Sequence, residues 1–182
     1  MSNQLLNKLG EKIPARPNYG SDIIGHAAQQ FIALREGFYN ISTNKVDAFI
    51  QDLCEVWKPN TDAYPISKEM ENKGYQVNAE FVDDMDRFTL HLNGVQEDAE
   101  AEWYRVHQPA LPLPYGTTFD MVMDGKLRTV RIDTIYRLSP AKYIVVTNDT
   151  HPDSKRTNIT FEDALALYTQ TEELKNQGVH FE

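Results

Sequence analysis

Two short stretches of the sequence concentrate residue types that do chemistry. Asp83-Asp84-Met85-Asp86 places three carboxylates within four residues. Mg²⁺ and Ca²⁺ take such oxygen ligands, so Asp83, Asp84 and Asp86 are the candidate metal ligands. The calcium-loop pattern of alternating acids, a central glycine and a closing glutamate is absent. Aspartate is also common in turns, where it bonds nearby backbone, and a solvated turn is the simpler reading. The second stretch is Asn148-Asp149-Thr150-His151-Pro152-Asp153. It combines a general-base type, His151, with the carboxylates of Asp149 and Asp153 and a hydroxyl. That is the minimum for a small hydrolase or transferase, and Lys155 and Arg156 follow as anion-binding types. No second histidine stands at metal-ligand spacing and no glycine-rich cradle accompanies the basic pair. A plain surface loop therefore outweighs an active site here.

The remaining reactive types are scattered. His26, His91, His107 and His180 pair with no cysteine or second histidine at zinc spacing. Cys54 falls on an apolar helical stripe and reads as a small core residue. The phosphate-binding, dinucleotide, nucleophile-elbow and zinc-protease motifs are all missing. The balance leans away from an enzyme, and no cofactor is expected.

Charge says more. The formal net charge is −9, and residues 61–120 hold twelve acids against four bases. Within 80–102 stand Glu80, Asp83, Asp84, Asp86, Glu97, Asp98, Glu100 and Glu102 against Arg87 alone. Such a segment repels nucleic-acid phosphates and attracts basic surfaces. The leading expectation is a non-enzymatic interaction or regulatory protein. It would be an inhibitor docking these acids on a basic, nucleic-acid-binding partner. The bland alternative is that they only keep the chain soluble. The basic residues Lys126, Arg128, Arg131, Arg137 and Lys142 cluster near the C-terminus and offer a weaker alternative, nucleic-acid binding. An RNA-binding sheet needs exposed aromatics among its charges, and the alternation assigns Phe119 and Tyr136 to the buried face.

These residues must be held by elements that the apolar spacing outlines. Ile23, Ala27, Phe31 and Leu34 recur at helical intervals over 22–36. Val46, Phe49, Ile50, Leu53, Cys54 and Trp57 do so before Pro59. A short connection makes the pair an antiparallel helical hairpin, residues 1–60. Tyr75, Val77, Ala79 and Phe81, then Phe88, Leu90 and Leu92, alternate with polar residues. They predict a central β-hairpin or meander over 61–107, with the Asp83–Asp86 stretch as its turn and Asn93-Gly94 opening a further strand. Residues 95–107 read as either helix or strand. Residues 108–116, with three prolines, form a stiff connector.

Residues 117–182 predict an antiparallel β-meander closed by an amphipathic helix. Asp124-Gly125 demands a two-residue turn with positive φ at both positions. That sets Met123 opposite Lys126, Met121 opposite Arg128 and Phe119 opposite Val130. Ile132, Tyr136 and Leu138 continue this face. Residues 143–147 are apolar on both faces and predict the best-covered strand, residues 148–158 a polar loop, and Thr160 the cap of the last helix. The whole is an α+β chain expected to pack as one compact unit. The sequence has one cysteine, which excludes an internal disulfide. No apolar run approaches the roughly 20 residues of a membrane span, and the first residues lack the apolar centre of a signal peptide. A cytoplasmic location is the expectation.

Overall fold

The computed structural model describes residues 4–34, 41–137, 139–147 and 155–177. Among these residues the protein is α+β, with five α-helices and one four-stranded antiparallel sheet. It divides into two compact units, residues 16–100 and residues 1–15 with 101–182.

The first unit is helical. Helix α1 (Ser21–Leu34) and helix α2 (Val46–Val56) form the expected antiparallel pair. The start of α1 meets the end of α2, since the Cys54 thiol donates to the Ser21 carbonyl at 3.6 Å. Four residues into α1, Gly25 faces Ile50, whose Cγ2 lies 3.7 Å from where a Cβ would stand. Helix α3 (Ala63–Asn72) follows. Gly74, at φ +96°, then reverses the chain. Its N–H bonds the Glu71 carbonyl and that of Tyr75 bonds the Met70 carbonyl, the paired bonds that close a helix on a left-handed glycine.

The predicted central β-hairpin is overturned. Residues 79–107 form one 29-residue helix, α4 (Ala79–His107). The Asn78 side chain starts it by accepting from the Phe81 N–H at 2.9 Å. The physical reason is the period of the buried residues. Phe81, Met85, Phe88 and Leu92 follow at i, i+4, i+7 and i+11, and each is at most 1% exposed. Leu90, which the strand reading places beside Phe88 and Leu92, is 72% exposed. Asn93-Gly94 makes no turn but lies inside the helix. The apolar side of α4 meets aromatic partners edge-on, Phe88 against Phe31 and Phe81 against Phe49. With Leu53, Ile66 and Met70 these residues form the core of the helical unit.

The second unit is built on the sheet. Strands β1 (Thr118–Met123), β2 (Lys126–Ile135), β3 (Lys142–Thr147) and β4 (Arg156–Thr160) pair in chain order. The β1–β2 register is the predicted one, with Phe119 opposite Val130, Met121 opposite Arg128 and Met123 opposite Lys126. Asp124 and Gly125 both have positive φ, as that turn requires. Strand β3 lies between β2 and β4 and is the best covered of the four. Residues 156–158, assigned to a loop from the sequence, belong to β4.

One register shift changes the face assignment. The β2–β3 pairing slips between Ile132 and Thr134, leaving Asp133 as a bulge. Beyond it Ile135, not Tyr136, stands opposite the buried Tyr143. Tyr136 bonds the Lys142 carbonyl through its N–H and falls on the outer face. The expectation that Tyr136 continues the core face is thereby corrected.

Helix α5 (Phe161–Asn176) closes the unit. Thr160 caps it by accepting from the Asp163 N–H, and Glu162 and Asp163 in the first turn suit the dipole. Thr171 reaches back from α5 to accept the Asp120 N–H of β1 at 3.0 Å. The proline-rich residues 108–116 are tied into this unit rather than free. Leu113 is buried, and its N–H and carbonyl both bond the Tyr143 hydroxyl.

Candidate functional site

Helix α4 decides how the acidic residues are presented. Each residue advances about 100° around a helix. Glu80, Asp83, Asp86, Glu97 and Asp98 therefore fall on the side opposite Phe81, Met85, Phe88 and Leu92, and all five are exposed. Arg87 and Leu90 lie among them. From Glu80 to Asp98 the stripe runs about 27 Å at 1.5 Å per residue.

The other three acids of this stretch are engaged. Asp84 is buried, with an Arg87 nitrogen 3.7 Å from its carboxylate. Glu100 accepts from Arg16 at 3.0 Å, and both side chains are at least 86% covered. The Gln96 amide bonds the other Glu100 oxygen and also the Pro17 carbonyl. Glu102 belongs to the sheet unit and takes two bonds from Arg105, which hold its carboxyl below its ordinary pKa.

The candidate metal ligands are placed on the first turns of α4. Asp83 and Asp84 diverge around the helix, one exposed and one buried, while Asp86 lies on the exposed side. Among the described residues no group of three or more His, Cys, Asp or Glu side chains is placed to hold a metal ion. The candidate catalytic residues Asp149, His151 and Asp153 lie outside the described residues, as does His180. His26 is exposed and bonded to Gln30, and His107 lies against the Trp103 ring. Cys54 is partly buried among the α1–α2 core residues. Burial, then the nearby Asp22, push its thiol pKa up, so it stays protonated.

The basic residues of the meander are also divided. Arg131 stands exposed on the outer face of the sheet, opposite Thr118 and Val146. Arg156 of β4 shares that face and lies 3.5 Å from the Asp133 carboxylate. Arg128 opposes Met121 on the other face. Lys155 pairs with Asp124 at the β1–β2 turn.

One polar cluster had no local signal in the sequence. Lys73, just after α3, donates to Asp52 at 2.8 Å and Glu55 at 2.6 Å, both on α2. Tyr75 donates to the second Asp52 oxygen at 2.7 Å. These hydrogen bonds, that of Lys73 first, hold the Asp52 carboxyl below its ordinary pKa. Burial and the Asp52 bond push the Tyr75 hydroxyl up to about 12. The partners are separated by about twenty residues, so only the fold brings them together.

Comparison with family models, curated proteins and solved structures finds no match for this chain. Among the described residues no helix is long and apolar enough to cross a membrane.

Proposed function

We propose that this is an interaction protein that docks the acidic face of α4 on a basic surface of another protein, one that otherwise binds nucleic acid. The observation that carries the reading is the exposed row Glu80, Asp83, Asp86, Glu97 and Asp98 on one side of a single helix. The helical unit holds fifteen acids and seven bases, a net −8, whereas the other unit is nearly neutral at −1. The field that steers a partner therefore originates from the helical unit. Complementary charge of this kind raises the association rate and rejects acidic competitors. Leu90, open within the row, supplies an apolar contact among the charges.

The test is capture of partners by the full chain and by a variant carrying Asp83→Asn, Asp86→Asn, Glu97→Gln and Asp98→Asn. The parent is expected to retain a basic protein that added duplex DNA or salt displaces. The variant is expected to lose it while its melting temperature stays within a few degrees. A partner that binds both chains equally, at low and high salt alike, would remove charge docking as the function.

A further inference from the structure

Within the acidic helical unit lies a cavity of about 410 Å³ whose lining has the opposite character. Among the described residues it is lined by Ile41, Lys45, Ala48, Lys73, Gly74, Tyr75, Gln76 and Phe81, with two lysines and no acid. Its volume is within the roughly 300–1,000 Å³ of small-molecule sites. The walls divide by chemistry. Ile41, Ala48 and the buried Phe81 ring are apolar, and Tyr75 is fixed edge-on against Phe49 at 5.3 Å between ring centres.

The two lysines are not equivalent. Lys73 is held by Asp52 and Glu55, which take two of its three ammonium protons and more than offset its charge. Lys45 stands exposed where the 3-10 turn (Thr43–Lys45) enters α2, and its side chain caps nothing. It supplies the charge to be matched. A cationic ligand meets the Lys45 ammonium, which no described carboxylate offsets. A dianion meets the carboxylates of Asp52 and Glu55 behind Lys73. A single negative charge on an apolar body satisfies both the rim and the wall.

We infer that this cavity binds a small organic monoanion, a carboxylate on an aromatic or aliphatic body. Its charge pairs with Lys45, and its body rests on Phe81, Ile41 and Ala48. The site is separate from the acidic face of α4, and its failure would leave the docking reading untouched.

Three probes of similar shape and different charge test it on the full chain at neutral pH: phenylacetate, phenylacetamide and 2-phenylethylamine. Binding is followed by amide chemical shifts. Phenylacetate is expected to move the amides of Ala48, Gly74 and Gln76 with an affinity in the millimolar range, as suits a fragment of this size. It should exceed phenylacetamide about threefold to fivefold, the scale of one partly exposed charge pair. The amine should not saturate these signals. Lys45→Gln should bring phenylacetate down to the affinity of the amide, and Lys45→Arg should restore the difference. Equal binding of acid and amide, an unchanged affinity in Lys45→Gln, or shifts that map outside the cavity would each overturn the proposal. So would the absence of any shift in the cavity amides.

Discussion

Leu90 and Leu92 make the sharpest test of how residues 79–107 are organised. Two apart in sequence, they share one face in a strand and lie about 200° apart on a helix. On α4 Leu92 is fully buried among the aromatic residues of the helical core, and Leu90 is 72% exposed. Leu92→Ala removes three carbon atoms from a packed interior and leaves a cavity. Fully buried leucines cost about 3 kcal/mol on such truncation, within a range of roughly 2.7–5. Leu90→Ala removes side-chain atoms that are mostly in water already. It also places the best helix former on an exposed helical position, so the expected change is within about 0.5 kcal/mol. Urea titration followed by the intrinsic fluorescence of Trp57, a buried residue of the same unit, reads both variants. With a slope of about 1.5 kcal/mol per molar, Leu92→Ala should lower the midpoint by about 2 M and Leu90→Ala by less than about 0.4 M. Equal losses in the two variants would restore the strand and refute α4. A larger loss at Leu90 would show that its exposed position is wrong.

Two further outcomes follow from buried and linked groups. Tyr143→Phe strips one hydroxyl that both accepts from and donates to the Leu113 backbone. Two buried groups are left unpaired, so the sheet unit should lose about 2 kcal/mol or more by chemical denaturation, and an unchanged midpoint would contradict this anchoring of the proline-rich segment. The Asp52 carboxyl has a folded pKa below its unfolded one, chiefly through the Lys73 hydrogen bond and then that of Tyr75. Its contribution is therefore present above the unfolded value of about 3.9 and is lost as pH falls through the lower folded value. Asp52→Asn should lower stability at neutral pH and flatten the acid limb of the stability profile below about pH 4. An unaltered acid limb would show that the Lys73–Asp52–Tyr75 cluster carries no linkage.

What was legible in the sequence depends on how local the deciding interaction is. The Asp124-Gly125 hairpin is legible because two adjacent residues set the turn and the turn sets the register. The Thr160 cap is legible for the same reason. The Asp133 bulge is not, because the slip is decided by what β3 offers opposite β2, and one inserted residue sends Tyr136 to the other face. The Lys73–Asp52–Tyr75 cluster is closed by the packing of α3 against α2, which no local pattern announces.

At α4 two apolar periods compete. Phe88, Leu90 and Leu92 satisfy a period of two over five residues, while Phe81, Met85, Phe88 and Leu92 satisfy a helical period over twelve. The longer pattern wins because Phe31 and Phe49 can cover one side of a helix but leave Leu90 without a partner. The helix also changes how the acids are presented. Asp86 and Glu97 are eleven residues apart. In a strand an odd separation puts them on opposite faces, and the acidity would be split. In a helix eleven residues make three turns to within about 20°. The two acidic groups of the sequence, 80–86 and 97–98, thereby become one face of one rod. That alignment is absent from the composition, and it is the property on which the proposed docking rests.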